Sequence, residues 1–222
     1  MGGGEAPSVP GDFDFYLLAQ SWAAHFCCLK PERCATVEEA WSGSKLMLHG
    51  LWPAYFKKRA DGRYPADCEV AMKYDKAVIP PLALKMAPNY HGGLGRHEWR
   101  KHGTCSGMPP KLYFEEALRT MLAMPKTQQG TPEVISQNIG GEVTSTDLRR
   151  AYVREVGIKV SDKCVLEEIT SCWDKSEKRH GVEKVGQQID CPDYIMRGFR
   201  NNCDSGKCHG RIRIPKVGQC EL

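Results

Sequence analysis

Hydrophobic and polar positions alternate near the start of the chain. Phe13, Phe15 and Leu17 interleave with Asp14 and Tyr16 ahead of Leu18 and Ala19, which predicts a strand. A second strand is predicted over residues 45–49, apolar through Leu46-Met47-Leu48, ending where Gly50-Leu51-Trp52-Pro53 supplies two breakers. Residues 80–86 read as a short helix entered through Pro81. Pro109-Pro110 introduces a helix over 113–124 whose Phe114, Leu118, Met121 and Leu122 share one face. Residues 125–144, rich in Gln, Gly and Thr, read as loop, and Thr146-Asp147 caps a helix to residue 156, stopped by Gly157. Strands over 165–173 and 211–214 close the chain, separated by loops holding Cys191, Cys203 and Cys208. Helices and strands mix without regular βαβ alternation, which favours an α+β class.

Composition narrows this further. At 222 residues the chain fits one domain, with residues 1–11, rich in Gly and Pro, as a loose lead and 12–222 as the folded unit. A net charge of +4 favours anionic partners. Eleven cysteines argue for an oxidising compartment, and an odd number leaves at least one thiol outside intrachain bridges. No apolar run approaches the roughly 18 residues of a membrane span. No secretory leader is visible; Met1-Gly2-Gly3-Gly4-Glu5 looks like a trimmed or engineered start, and Ala6 breaks the myristoylation pattern. Lys57-Lys58-Arg59 and residues 175–180 read as solvated loops, with the tracking of a nucleic-acid strand as the less favoured alternative. Trp22, Trp41, Trp99 and Trp173 read as core.

The chemistry concentrates in Arg96-His97-Glu98-Trp99-Arg100-Lys101-His102-Gly103-Thr104-Cys105. On a helix, Glu98 and His102 share a face at i and i+4 with Lys101 beside them, and His97 and Lys101 form a second such pair. A proton carrier, a carboxylate and a fixed positive charge on one face suit the handling of a phosphate. The metalloprotease pattern H-E-x-x-H is not met, since one extra residue sets His97 and His102 roughly 140° apart around an ideal helix. Lys101 would also repel a metal, so none is expected. The competing reading is an exposed charged helix without function. A second feature, Leu48-His49-Gly50-Leu51-Trp52-Pro53, puts a histidine at the end of a buried strand, where an active-site residue would sit; taken alone it reads more readily as a core histidine bonded to a backbone carbonyl, with Trp52 as ordinary packing.

Together the two segments resemble the paired active-site motifs of the ribonuclease T2 family, L-H-G-L-W-P followed some fifty residues later by H-E-W-x-K-H-G-T-C. Tyr64-Pro65 to Cys68, the Cys164, Cys172 and Cys191 spacing and the terminal strand also fit. The resemblance implies a central antiparallel sheet flanked by helices, and a secreted or vacuolar-lysosomal, metal-independent endoribonuclease of low base specificity. It needs no cofactor, takes single-stranded RNA as its partner, and acts as a monomer away from membranes. It implies His49 as general acid and His102 as general base, with Glu98 and Lys101 stabilising the transition state. His97 would hold the phosphate, Trp52 and Tyr64 would stack on a base, and Gln20 would reach the substrate. It also implies the bridges Cys68–Cys105, Cys172–Cys191, Cys27–Cys34 and Cys164–Cys208, the last with Cys203 as the alternative partner of Cys164. The chain departs from the family at Ala54, where Asp or Asn is frequent, at Ser21-Trp22-Ala23-Ala24, and at Leu94 and Gly95, where an aromatic is common; all lie at expected base-binding surfaces. The rival reading is a T2-like recognition, defence or storage protein in which RNA cleavage is incidental.

Overall fold

The computed structural model describes residues 8–35, 37, 39–59, 62, 64–90, 92–179, 182–197, 201–204 and 207–219. Strand β1 (Phe15–Trp22) is buried at every position, which explains its run of apolar residues on both parities. It lies between β2 (Leu46–Ala54) and a 14-residue strand, and both pairings are antiparallel. That long strand is the fourth of the sheet, β4 (Leu166–Arg179); its first half pairs with β3 (Gly157–Val160) and its second half with β5 (Val182–Ile189). The result is a five-stranded antiparallel sheet with β2 at one edge.

Alternation along β1 divides the interior in two. Tyr16, Leu18 and Trp22 face the larger core, packed under α1 (Ala23–Leu29), α2 (Pro81–Met86) and α4 (Pro110–Leu122), while Phe15, Leu17 and Ala19 face a smaller cluster with Trp52, Ala54, Cys172 and Cys191. Between α2 and α4 lies α3 (Gly93–Lys101), continued by a 3-10 turn, Gly103–Ser106. On α4, Phe114, Ala117 and Met121 are almost wholly removed from water, and burial of each large apolar side chain contributes roughly 1.5–3 kcal/mol.

β2 does not stop at Gly50 but runs through Pro53 to Ala54. Pro53 is tolerated because an edge strand has no second neighbour to receive its missing N–H. Ala19 pairs with Gly50 and Gln20 with Leu48, so His49 is the extra residue of a β-bulge. Leu46 and Leu48 belong to the large core whereas Trp52 and Ala54 lie on the opposite face, although all four share one parity. The bulge has switched the faces. Without it His49 and Trp52, three residues apart, would point to opposite sides of the sheet.

Other expectations are corrected by tertiary pairing. The supposed loop 125–144 contains the strand pair Thr127–Gln128 and Thr131–Pro132, the turn Glu133–Ser136, and Glu142–Thr144 paired with Arg211–Arg213. The helix expected to end at residue 156 spans only Ser145–Arg150, and its cap is Thr144, whose hydroxyl accepts from the Asp147 N–H. The chain leaves this helix to form β3, whose Gly157 pairs with Thr170. Lys175, expected in a loop, extends β4 and sets its ammonium over the Phe13 ring, 4.3 Å from the centroid. Residues 177–179 continue that strand, and His180 lies outside the described residues. Of the lead segment, residues 1–7 also lie outside them; Gly11 is tied down by its N–H bond to the Cys105 carbonyl. The four expected tryptophans are buried.

Among the described residues four bridges join Cys27 to Cys34, Cys68 to Cys105, Cys164 to Cys208 and Cys172 to Cys191. Cys28 is also disulfide-bonded, and Cys203 is a buried free thiol. The Cys68–Cys105 bridge spans 37 residues and anchors the turn after α3 to the chain that follows β2.

Candidate active site

Two elements bring the expected residues together. The bulge of β2 projects His49 and Trp52 to one face, and the last turn of α3 faces them with His97, Glu98, Lys101 and His102. A single cavity of about 670 Å³ is lined by all six, by Tyr64, and by Leu17, Pro53 and Ala54 at its floor. The Trp52 indole stands between the two histidines that come from different elements: its ring centroid is 5.2 Å from His49, edge-on, and 5.1 Å from His102 at 29° between planes. The indole N–H donates to Glu98 Oε2 at 2.7 Å. Gly50 makes this packing feasible, because a Cβ there would overlap the Glu98 carboxylate and the indole. Two buried tyrosines hold the strand backbone from behind: Tyr90 Oη donates to the His49 carbonyl at 3.0 Å, and Tyr113 Oη to the Leu51 carbonyl at 2.7 Å. They give partners to edge-strand oxygens that would otherwise be buried alone.

Glu98 is 1% exposed, and burial is the main reason its carboxyl is pushed up to about 7; His49, the indole N–H and Lys101 oppose that shift without cancelling it. Lys101 is held above its ordinary value, first by its hydrogen bond to Tyr64, and its ammonium lies 5.5 Å from the Tyr64 ring centroid. Partial desolvation, then the Lys101 charge, lowers His97. Tyr64 itself is 46% exposed and nearly parallel to His102, with centroids 6.1 Å apart.

Some expected placements are corrected. Gln20 is fully buried on the large-core side of β1, and its Nε2 donates to the Gly130 carbonyl at 3.0 Å, so it does not reach the cavity. Its neighbour Ser21, of opposite parity, lines a second cavity of about 400 Å³ that shares His49 and His97 with the first. Trp52, expected to stack on a base, lines the cavity but is only 7% exposed, with its ring against His102 and its N–H on Glu98. The absence of an aromatic at Gly95 has a steric cause, since a Cβ there would press on the Tyr90 carbonyl, Ile79 and Tyr74. Leu94 lines the second cavity.

His97 and His102 are not separated as an ideal helix would separate them. His102 is the C-cap of α3, with φ −118° and ψ −48°, so the ideal-helix angle does not apply to it. Its ring lies 6.3 Å from that of His97, and ligand atoms of His97, Glu98 and His102 fall within 4.8 Å of one another. A tetrahedral zinc needs ligands closer, at roughly 3.4 Å from one another given bonds near 2.1 Å. The group would have to close up while Glu98 Oε2 is already engaged by the indole.

Glu168 is the principal member without a motif in the sequence. Its Oε2 lies 3.0 Å from His49 Nδ1, reaching across β1 where that strand presents the small residues Ala19 and Ser21. In Leu166-Glu167-Glu168-Ile169 nothing in the sequence distinguishes Glu168 from the adjacent Glu167; burial alone does, since Glu168 is 8% exposed.

The chain matches the model of the ribonuclease T2 family over residues 13–191. It is 32% identical to ribonuclease 1 of Arabidopsis thaliana over 95% of this chain and 90% of that protein. To the intracellular ribonuclease LX of Solanum lycopersicum it is 26% identical, over 92% and 84% respectively. Its fold is similar to that of trichomaglin, described as a novel S-like ribonuclease, with a TM-score of 0.67 at 18% identity over 94% of this chain and all of that one. It is likewise similar to RNase NT in complex with 5′-AMP, with a TM-score of 0.58 at 23% identity over 93% of this chain and all of that one. The two motif segments, the α+β fold around one antiparallel sheet and the match across most of the sequence establish that this chain belongs to the ribonuclease T2 family.

Proposed function

We propose that the protein is an endoribonuclease that cleaves single-stranded RNA through a 2′,3′-cyclic phosphate, without metal and with low base specificity. The observation that carries this reading is the pair of imidazoles, His49 and His102, set on either side of one indole in a cavity that also holds Glu98 and Lys101. RNA supplies its own nucleophile, the 2′-hydroxyl beside the phosphorus, so proximity is already given. The protein must then remove that proton, protonate the leaving 5′-oxygen and stabilise the charge between.

His102 takes the 2′-hydroxyl proton as that oxygen bonds to phosphorus. The Glu168 carboxylate keeps a proton on His49 Nδ1 and turns Nε2 to the cleft, where it donates to the departing 5′-oxygen. Lys101 holds positive charge against the non-bridging oxygens, and His97 donates a hydrogen bond to one of them. Glu98, protonated below about pH 7, donates to another through the oxygen the indole leaves free. Hydrolysis of the cyclic ester reverses the two histidine roles and leaves a 3′-phosphate.

The side on which each nucleoside sits follows from these roles. The one providing the 2′-hydroxyl lies with His102 in the larger cavity, under Tyr64. The leaving nucleoside passes His49 toward the smaller cavity lined by Ser21, Leu94 and Asn89. Stacking is tolerant of base identity, and Ala54 supplies no polar group at the floor, which supports low base specificity. The bridges support an oxidising extracellular or vacuolar setting. Among the described residues no helix is long and apolar enough to cross a membrane. All the candidate groups come from one chain, consistent with action as a monomer.

The test is digestion of the four homopolymeric RNAs in excess EDTA. All four are expected to be cut, with cyclic-phosphate ends appearing before 3′-phosphates. A requirement for added divalent cation would overturn the mechanism, and attack on one homopolymer alone would overturn the specificity. Glu168→Gln gives an independent check on His49. It should lower kcat roughly 10- to 100-fold with little change in KM, by analogy with loss of a group that orients a working histidine. Unchanged kcat would remove Glu168 from the mechanism.

A further inference from the structure

The larger cavity does not end at the reacting groups. Past the end of β2 at Ala54 it is lined by Tyr55, Lys57 and Lys58, and by Tyr194 and Arg197 at the turn Asp193–Met196. These cations come from two segments about 140 residues apart in sequence, brought together by the fold and tied by a bond from Tyr194 Oη to the Tyr55 carbonyl at 2.7 Å. Among the described residues the sole carboxylate lining the cavity is Glu98, which is buried and comes from α3. Lys57 and Lys58 are exposed, and neither has a carboxylate partner among the described residues. Arg197 is held by Asp193 at 2.9 Å. As a sequence, Lys57-Lys58-Arg59 read as a solvated loop; in the fold, its two lysines rim the candidate cavity.

We propose that Lys57, Lys58 and Arg197 form an auxiliary phosphate site that holds the RNA backbone on the 5′ side of the linkage being cleaved. The direction rests on the mechanism above: the nucleoside whose 2′-hydroxyl faces His102 occupies the larger cavity. Its own 5′-phosphate then belongs to the cavity that these three cations line. The site takes a phosphodiester of a longer strand or a terminal 5′-phosphate, since both offer the same non-bridging oxygens. It would make the protein favour internal linkages over an unphosphorylated dinucleotide, through binding and not through the chemical step.

The experiment compares three substrates of one base composition: an unphosphorylated ribodinucleotide, the same dinucleotide with a 5′-phosphate, and the same dinucleotide with a 3′-phosphate. For the wild-type protein the 5′-phosphate should lower KM roughly fivefold, the scale of one good exposed ion pair, with kcat unchanged, while the 3′-phosphate should not. Lys57→Gln/Lys58→Gln/Arg197→Gln should erase that advantage and keep wild-type kcat on the unphosphorylated dinucleotide. The dependence of log KM on log salt for the phosphorylated substrate should also flatten, by about 0.7 for each phosphate charge that a removed cation had neutralised. No gain from the 5′-phosphate, an equal gain in the triple variant, or a gain from the 3′-phosphate alone would each overturn the site while leaving the nuclease reading intact. A wild-type protein that cuts neither dinucleotide nor polymer would overturn the nuclease reading itself, and the site with it.

Discussion

Replacing either His49 or His102 with alanine is expected to lower kcat by about 10²–10⁴-fold, the usual contribution of a general acid or base. The two losses should not multiply in the double variant, because each histidine serves a step that stalls without the other. Neither change should unfold the protein, for different reasons. His49 is partly exposed at a bulge whose backbone is held by Tyr90, and that bond uses the main-chain carbonyl, which alanine retains. His102 is buried and stacked on Trp52, so its loss leaves a cavity, but its N–H bond to the Glu98 carbonyl persists in alanine. Far-ultraviolet circular dichroism and a melting curve separate lost chemistry from lost fold. Near-normal turnover by a folded His102→Ala protein would remove it as the base.

The next largest effect concerns Glu98 and pH. Its carboxyl is pushed up to about 7 in the folded protein against an ordinary 4.5, with burial as the leading cause. Between these values the folded state binds a proton that the unfolded state has released, so stability falls as pH rises across that window. The stabilisation is whole below about pH 4.5 and gone above about pH 7. A gap of this size corresponds to about 3 kcal/mol. Glu98→Gln keeps the shape and cannot ionise. The unfolding free energy of wild type minus that of Glu98→Gln should therefore drop by about 2–3 kcal/mol from pH 4.5 to pH 8. Taking the difference cancels the titrating groups that do not feel the Glu98 charge. Urea titrations at several pH values give it directly, and a difference independent of pH would mean that Glu98 titrates normally.

How much of this was legible in the sequence depends on whether a residue acts through its type or through its register. The types and order of His49, His97, Glu98, Lys101 and His102 were readable because they sit in two short runs. That they meet was not, because the meeting depends on a bulge at His49, and a bulge is decided by how β2 pairs with β1. The same parity separates Gln20 from Ser21: one residue along a strand, and the side chain is in the core instead of the cleft. Trp52 was readable as part of the site but its contacts were not, since its partners Glu98 and His102 arrive from a helix some fifty residues away. Glu168 lies 119 residues from His49, in a strand with no motif around it. The fold class emerged from mixed periodicities, whereas β3, β5 and the small strand pairs are too short or too polar to announce themselves and form because a neighbour is already in place. Lys57 and Lys58 show the same limit at the surface, for a charge run looks alike in sequence whether it faces water or a cavity.

The decisive question is whether the 2′-hydroxyl is the nucleophile, because every role given to the two histidines depends on it. An oligoribonucleotide with a single 2′-deoxy sugar on the 5′ side of one internal linkage, digested to completion in excess EDTA with its product ends identified by mass, answers it. The expected result is scission at the all-ribose linkages through 2′,3′-cyclic phosphates to 3′-phosphates, with the modified linkage intact. Cleavage at that linkage, or release of 5′-phosphate ends anywhere, would contradict the assignment of His102 and His49 as its base and acid.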